Sequence, residues 1–249
     1  MKATALSVMT KDCVNCGCKL LTGNRVASLP PGLRPRFLSG LPPAELACIL
    51  PAATHRQFLA SSVILHHGDP AERIFLITSG LGSHFVLTGD GRKVLLGWLT
   101  AGQVFGGMTI LSNPSNYLAN TEVLSDSCAL AWDKKTIRKL VSRYPILLDN
   151  ALSIAGMEKV AWLIGAYVSL SSDDAMGRVA HMLISLACGV GEEAHGGVEI
   201  HVGNEDLAAA ANVTPFTVSR AMAKWQRKGI LTKGRGKILL GKPELLVTG

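Results

Sequence analysis

Residues 204–228 read NEDLAAAANVTPFTVSRAMAKWQRK, and this stretch decides the fold of the C-terminal part of the chain. A short alanine-rich helix over 205–211 is followed by Asn212, a residue that tolerates the left-handed backbone of a tight turn. Thr214 is a good N-cap and Pro215 suits the first helical position, so a second helix is predicted after the turn. Two helices joined in this way indicate a helix-turn-helix, whose second helix enters the major groove of DNA.

The basic residues of the chain are concentrated in and after this second helix. Over residues 214–249, eight Lys and Arg stand against one acidic residue, an excess equal to the net charge of the whole chain, +7. A solvated helical face would also carry basic residues, but motif and charge together favour binding to DNA phosphates. The residues predicted to contact double-stranded DNA are Thr214, Pro215, Phe216, Thr217, Ser219, Arg220, Lys224, Lys233 and Arg235.

Length and composition limit the class of protein. The 249 residues suit two domains, and an apolar content of 48% is enough for sizeable cores. Residues 1–21 lack the continuous apolar run of a secretory signal, and the uncharged residues 94–121 contain Gly, Pro and Asn, as strands and turns do. We therefore expect a cytoplasmic protein without a membrane partner. Its six cysteines should be reduced thiols or metal ligands.

Three of the cysteines, Cys13, Cys16 and Cys18, lie within six residues of one another. Thiolates this close suit a soft metal centre, either zinc or iron–sulfur, and a four-ligand site then needs one more ligand from elsewhere. A tail with incidental cysteines is the alternative. Cys48 and Cys188 lie in apolar helical runs and are predicted to be small buried residues.

The residues between 33 and 133 predict a β domain. After a short helical region over 33–50, strand-like runs alternate with glycine turns, which indicates an antiparallel barrel or roll. The predicted strands span 62–66, 74–78, 83–88, 93–99, 117–123 and 127–132. The last strand places Cys128 inside the β domain.

A helical period begins after Asp133. Apolar residues recur at spacings of three and four from Leu147 to Val168, a near-heptad stripe that favours pairing of two copies of the chain. A homodimer would present two recognition helices to the half-sites of a palindromic operator, about one helical turn apart. A helix that packs on its own domain is the alternative. The predicted dimer contacts are Ile154, Met157, Ala161, Ile164 and Val168.

The remaining segments complete a winged helix-turn-helix. A linker over 169–174 precedes a helix that ends near Cys188. Short strands are predicted at 198–202 and over the glycine-rich 233–237 with the following 238–240, and the latter form a basic wing beside the helix-turn-helix. The whole chain is predicted to be an α+β protein. Its parts are a cysteine-containing segment (1–32), an antiparallel β-roll sensor domain (33–133), a dimerisation helix (134–169) and a winged helix-turn-helix domain (170–249).

This organisation resembles the cyclic-AMP receptor protein / fumarate-nitrate regulator (Crp/Fnr) family from residue 33 to the C-terminus. The resemblance rests on Gly68-Asp69-Pro70, on residues 74–80 and 102–106, on the long helix and on the helix-turn-helix. It implies a transcription regulator with a β-roll sensor domain, a dimerisation helix and a winged DNA reader. RNA polymerase is then an expected partner. No nucleophile–base arrangement in the sequence indicates an enzyme.

In the fumarate-nitrate regulator branch, N-terminal cysteines and one cysteine of the roll hold an oxygen-labile four-iron cluster. The resemblance therefore implies that Cys13, Cys16, Cys18 and Cys128 ligate a 4Fe-4S iron–sulfur cluster, and that operator binding responds to oxygen or redox state. The branch spaces its second and third cysteines further apart than Cys16 and Cys18. Phe216 also stands where the branch has a glutamate, so a thymine methyl group replaces a cytosine amino group as its expected contact.

Other cofactors fit the sequence less well than iron–sulfur. Relatives that bind cyclic AMP hold it with a glutamate and an arginine, and neither is present in FGGM at 105–108 or in NYLA at 116–119. A phosphate would lack a charged partner there, so cyclic AMP is not expected. Zinc, heme and a small-molecule signal remain alternatives to the iron–sulfur cluster. The histidines considered as axial heme ligands are His55, His66, His67 and His84.

Overall fold

The computed structural model describes residues 11–111, 113, 115–234 and 236–248. Contacts between Cα atoms divide the chain into two compact units. The first comprises Met1–His84 and Leu99–Glu158, and the second comprises Phe85–Trp98 and Lys159–Gly249.

The N-terminal segment contains strands that the sequence did not predict, namely β1 (Lys11–Asp12), β2 (Lys19–Leu20) and β3 (Val26–Ser28), with a 3-10 turn at Thr22–Asn24. The helical region predicted over 33–50 contains α1 (Pro43–Ile49) and a 3-10 turn at Arg36–Leu38, and a further 3-10 turn follows at Leu50–Ala52. The three strands form an antiparallel sheet in the order β1-β2-β3. The turn between β1 and β2 carries the three N-terminal cysteines.

The predicted β-roll is present as two four-stranded sheets. Its strands are β4 (Thr54–Phe58), β5 (Val63–Leu65), β6 (Arg73–Ser79), β7 (Gly82–Leu87), β8 (Lys93–Leu99), β9 (Val104–Phe105), β10 (Asn120–Val123) and β11 (Ser127–Asp133). One sheet has the order β5-β10-β7-β8 and the other β4-β11-β6-β9. β11 lies between β4 and β6, antiparallel to both, and its residues are buried up to Trp132.

One hydrophobic core joins the N-terminal segment to the roll. Fully buried Phe37, Ile49 and Trp132 belong to it, and the Trp132 indole donates a hydrogen bond to the Ile49 carbonyl at 3.1 Å. The Asn150 amide donates to the carbonyl oxygens of Phe37 and Ser39 at 3.0 and 2.9 Å. Cys13 and Cys18 lie in the same core and Cys16 packs against it, so the N-terminal cysteines are part of a folded domain rather than of a tail.

The helical region after residue 133 is interrupted. It consists of α2 (Lys134–Arg143), α3 (Ile146–Ser153), a π-helical segment (Ile154–Val160) and α4 (Ala161–Ser172). The Asp133 carboxylate caps α2 by accepting from the Thr136 N–H at 2.8 Å. The prediction of one helix over 134–169 therefore differs from the structure. The predicted linker is also shorter, because α4 runs to Ser172 and only Asp173 and Asp174 precede the next helix.

The C-terminal residues form the predicted winged helix-turn-helix. Its elements are α5 (Ala175–Val190), β12 (Glu192–Ala194), β13 (Gly197–Ile200), α6 (Asn204–Ala211), α7 (Pro215–Arg227), β14 (Leu231–Gly234), β15 (Lys237–Leu240) and α8 (Leu245–Thr248). The sheet order is β12-β13-β15-β14, and the hairpin of β14 and β15 is the wing. Across the described helices, none is both long and apolar enough to span a bilayer.

Two cysteines predicted to be buried are exposed, and that prediction was wrong. Cys48 lies on α1, where only Ile49 is buried. Cys188 lies on α5, two residues after buried Leu186, and two residues on a helix point about 200° apart. Apolar neighbours in the sequence did not reveal which side of each helix faces solvent.

Candidate metal centre and nucleic-acid interface

The helix-turn-helix has the local geometry that its sequence predicts. Asn212 adopts the left-handed conformation (φ 50°, ψ 52°) between α6 and α7. The Thr214 hydroxyl caps α7 by accepting from the Thr217 N–H at 3.2 Å, and Pro215 occupies the first helical position. Gly229 follows α7 with φ +65°, as a residue after a helix C-cap often does.

The two sides of α7 have different roles. Val218, Ala221, Met222 and Trp225 recur at helical spacing and are buried, and α7 packs on α5 and α6. The opposite side faces solvent. Of the residues predicted to contact DNA, Thr214, Pro215, Phe216, Ser219, Arg220 and Lys233 are exposed, Thr217 and Lys224 are half-buried, and Arg235 lies outside the described residues.

A side-chain pair defines the exposed surface at the start of α7. The Arg220 guanidinium lies 5.9 Å from the centroid of the Phe216 ring, within cation–π range. Phe216 is 70% exposed, and Arg220 is also exposed. Both side chains are therefore available to base edges in a groove.

The apolar stripe predicted for dimer contacts divides into two parts. Ile154 is buried in the core of the first unit. Ala161, Ile164 and Val168 are exposed on α4, and the side chain of Met157 lies outside the described residues. The exposed part also includes the large side chains of Leu163, Tyr167 and Leu170.

The N-terminal cysteines lie on a tight turn between β1 and β2. The Gly17 N–H donates to the Cys13 carbonyl at 2.7 Å, and the Cys13 N–H donates to the Cys18 carbonyl at 2.8 Å. Gly17 has φ +72°, in the left-handed region that favours glycine, so it lets the chain reverse directly after Cys16. A turn of this kind brings the thiols of Cys13 and Cys16 close together.

Two strands of the roll provide the other polar side chains of the centre. β4 and β11 pair so that Gln57 lies opposite Cys128 and His55 lies opposite Leu130. Since residues two apart on a strand share a face, His55, Gln57 and Cys128 lie on the same side of the sheet. His55 is only 4% exposed and Cys128 only 1%, so both side chains are shielded from solvent.

Four potential ligand atoms meet where the turn contacts this sheet. The Cys13 and Cys128 sulfurs are 3.9 Å apart, and the Cys16 sulfur is 3.3 Å from His55 Nε2. All four atoms lie within 4.8 Å of one another. The Gln57 amide also donates to the Cys13 sulfur at 3.5 Å. Of the four predicted cluster ligands, three are brought together, and His55 rather than Cys18 completes the group.

The environment of each group shifts its pKa in a different direction. Burial opposes ionisation of Cys13, but hydrogen bonds from the Asn15 backbone, from Cys16 and from Gln57 outweigh it and lower the pKa of this thiol. Burial raises the pKa of the Cys128 thiol to about 12, and burial beside Cys16 also raises the pKa of Cys18. Burial lowers the pKa of His55, which favours the neutral imidazole that binds metals.

The donor set suits a soft metal. Three thiols and one imidazole occur in structural zinc sites, and histidine also replaces cysteine on one iron of some iron–sulfur centres. From the sequence alone, His55 was considered only as an axial ligand of heme. Of the other heme candidates, His66 and His67 are exposed, and His84 Nδ1 lies 2.9 Å from the Thr121 hydroxyl. A predicted strand over 54–58 would have placed His55 beside Cys128, but those residues lack an alternating apolar pattern.

Comparison with known proteins identifies both halves of the chain. Residues 55–144 match the model of the cyclic nucleotide-binding domain, and residues 177–248 match the Crp-like helix-turn-helix domain. A CRP-like cAMP-activated global transcriptional regulator of Mycobacterium tuberculosis is 21% identical over 215 residues, 86% of this chain and 95% of the relative. The anaerobic regulatory protein of Bacillus subtilis is 25% identical over 201 residues, 78% of this chain and 82% of the relative.

Solved structures show the same fold. FixK2 from Bradyrhizobium japonicum superimposes with a TM-score of 0.69 at 21% identity, over 79% of this chain and 96% of FixK2. The sensor and DNA-binding models together span most of the chain, and the relatives match it across both. The chain belongs to the Crp/Fnr family of DNA-binding transcription regulators.

Proposed function

We propose that this chain is a homodimeric regulator whose operator binding is controlled by a redox- or oxygen-responsive metal centre with cysteine ligands. The observation that carries the proposal is the convergence of Cys13, Cys16, His55 and Cys128 within 4.8 Å. Three thiols and one imidazole at one point present four donor atoms of the kind that soft metal ions and iron–sulfur clusters bind.

Two occupants suit such a centre. The family resemblance implies a 4Fe-4S iron–sulfur cluster, and the donor set also suits zinc. Either one links the centre to redox state, since metals bind thiolates and oxidation of the thiolates removes the ligands. The anaerobic regulatory protein of Bacillus subtilis, 25% identical to this chain, supports a signal of this kind.

The position of the centre suggests how it controls the rest of the chain. Its cysteines lie in the same core as Leu147 and Ile154, on α3 and at the start of the π-helical segment. This segment continues along the chain into α4, which carries the exposed apolar residues. Loss or oxidation of the metal centre would therefore alter the packing at the N-terminal end of the predicted dimer helix.

Dimerisation is proposed through α4 and the π-helical segment before it. Ile164 is 59% exposed, and Leu163, Tyr167 and Val168 beside it are also exposed. Contiguous apolar surface of this kind marks a protein interface. A second copy of the chain is the proposed occupant, because paired recognition helices are needed to read a palindromic operator.

On DNA, the exposed side of α7 is proposed to read bases and the wing to bind phosphates. Arg220 would donate two hydrogen bonds to a guanine, and Phe216 would contact a thymine methyl group. Lys233 and Arg235 would neutralise phosphates without selecting a sequence. RNA polymerase is proposed as the partner of the DNA-bound dimer.

Selection from a random duplex pool with anaerobically purified protein tests the proposed function. We expect enrichment of a palindrome whose half-sites are about one helical turn apart, and a dimer by sedimentation. Iron, zinc and acid-labile sulfide are measured on the same sample. Enrichment of a single half-site by a monomer would contradict the dimer, and a metal-free protein with full operator affinity would contradict control by a metal centre.

A further inference from the structure

We infer that His55 is the fourth ligand of this centre and that the centre holds one tetrahedral ion, zinc, in place of a four-iron cluster bound through Cys18. The inference rests on the proposed function, because it takes the group of thiols to be a metal centre. It goes further by naming the ligand set and the number of metal ions.

The distances between the ligand atoms are those of a site with one ion. With Zn–S bonds of about 2.3 Å and a Zn–N bond of about 2.0 Å, tetrahedral geometry separates neighbouring ligand atoms by about 3.5–3.8 Å. The observed separations are 3.9 Å between the Cys13 and Cys128 sulfurs and 3.3 Å between the Cys16 sulfur and His55 Nε2. In a four-iron cluster each ligand binds a different iron, so the ligands surround a wider group. A limit of 4.8 Å on all separations fits the single ion.

The turn that carries the cysteines also has the form of a zinc-binding turn. Cys13 and Cys16 have the C-x-x-C spacing that is common in structural zinc sites. Gly17 follows in the left-handed conformation, and its N–H closes the turn on the Cys13 carbonyl. Two ligands from such a turn and two from elsewhere are the usual composition of a four-coordinate site. Here the other two, His55 and Cys128, come from neighbouring strands of one sheet.

Cys18 lies next to the four ligands but is not one of them. It is fully buried beside the Cys16 thiol, and its sulfur is not part of the group whose atoms all lie within 4.8 Å of one another. Its backbone carbonyl pairs with the Cys13 N–H and continues the ladder between β1 and β2. Cys18 therefore acts as a small buried residue that supports the turn.

Gln57 supports the ligand set from outside. Its side-chain amide donates to the Cys13 sulfur at 3.5 Å, and it lies on the same face of β4 as His55. Hydrogen bonds of this type orient metal ligands and raise the affinity for the ion. The centre thus has four ligands and one supporting donor.

Metal analysis and X-ray absorption on the full-length protein, purified without air, test the inference. We expect one zinc per chain, iron and sulfide near zero, and a zinc shell of three sulfurs at about 2.3 Å and one nitrogen at about 2.0 Å. Replacement of zinc by Co²⁺ should give the absorption bands of a tetrahedral thiolate site. A shell of four sulfurs would overturn the assignment of His55.

Matched variants separate His55 from Cys18. His55→Ala should reduce zinc from one per chain to near zero, whereas Cys18→Ser and the control His66→Ala should each retain one zinc. Because a buried alanine could impair folding, His55→Cys is the second variant. It should keep the metal and change the Co²⁺ spectrum to that of a four-sulfur site. An unchanged spectrum in His55→Cys would show that residue 55 does not bind the metal.

The outcomes also distinguish this inference from the proposed function. A brown protein with four iron and four sulfide per chain, which loses its colour in Cys18→Ser and keeps it in His55→Ala, would overturn the inference. Operator binding controlled by a metal centre would remain. A chain without metal under all conditions, with unchanged operator binding, would overturn both.

Discussion

The proposed DNA-binding face and the proposed metal centre are built in opposite ways. α7 presents Phe216, Ser219 and Arg220 on a solvent-exposed side, and these residues and the helix cap at Thr214 lie close together in the sequence. The centre buries its ligands and takes them from three separate places, with Cys13 and Cys128 115 residues apart in sequence. Local rules of capping and helical spacing are therefore sufficient for the first site, whereas the second depends on how distant strands pair.

This contrast has an energetic consequence. Exposed side chains on α7 contribute little to the stability of the domain, so their removal should change affinity for DNA without changing the fold. Of the proposed ligands, Cys13 and Cys128 are part of the core and His55 is buried, so their removal should affect both metal content and folding.

The largest effect is expected from Ile164→Glu on the exposed face of α4. A charge in an apolar seam should prevent pairing and yield monomers, and loss of bivalent binding should weaken operator affinity by ~10²–10⁴-fold. Sedimentation and a mobility-shift titration measure the two effects. Leu59→Glu, at an exposed leucine of the sensor domain, is the control. A dimer of unchanged mass in Ile164→Glu would place the interface elsewhere.

Arg220→Ala should remove sequence discrimination at one base pair of each half-site. A bidentate contact to guanine is worth ~1–3 kcal/mol, which corresponds to roughly 5–150-fold in affinity. Competition between the selected operator and a version altered at that guanine measures the loss. Full discrimination retained by Arg220→Ala would mean that α7 is docked differently.

Lys233→Ala is the matched comparison for Arg220→Ala. A phosphate contact on the wing should weaken binding to all sequences alike and reduce the slope of log K against log salt by about 1. The ratio of operator to non-specific affinity should not change. A selective loss for the operator would assign base reading to the wing.

Gln57→Leu should weaken the metal centre while leaving its four ligands in place. Loss of the hydrogen bond to the Cys13 sulfur should lower metal affinity by ~10–100-fold. Competition with a chromophoric chelator measures the affinity. Arg56→Leu is the control, since the adjacent exposed residue lies on the other face of β4. Equal affinities for the two variants would show that Gln57 does not support the centre.

The smallest effect is expected at the helix cap. Thr214→Ala removes the acceptor for the Thr217 N–H and should cost about 1 kcal/mol of stability, whereas Thr214→Ser should cost little. Chemical denaturation measures both, with Thr232→Ala on the exposed side of the wing as control. A stable Thr214→Ala that still binds DNA poorly would show that Thr214 contacts DNA instead of serving mainly as a cap.

The C-terminal fold could be predicted from the sequence because its signals are local. Asn212 takes the left-handed conformation and Thr214 caps α7, as the sequence predicted. The glycine-containing turns in the sequence likewise allowed most strands of the roll to be predicted. Each of these signals acts within a few residues, so chain geometry translates it directly into structure.

The group of potential metal ligands could be predicted only in part. Three closely spaced cysteines and Cys128 indicated a site, but the sequence of β4, THRQF, has no alternating apolar pattern and concealed the strand that carries His55. Periodicity also could not tell the buried side of α1 or α5 from the exposed one, which is why Cys48 and Cys188 were misplaced. It likewise gave no sign of the break between α2 and α3, where Pro145 follows Tyr144.

The central claim is that the metal centre controls binding to DNA, and one measurement tests it most directly. The dissociation constant for the selected operator is measured for metal-loaded protein, for the same protein after chelation without air, and after reloading. Coupling between sites is typically 1–3 kcal/mol, so we expect the loaded and stripped constants to differ by roughly 5–150-fold and the difference to reverse on reloading. Identical constants in all three states, with the dimer intact, would contradict the account.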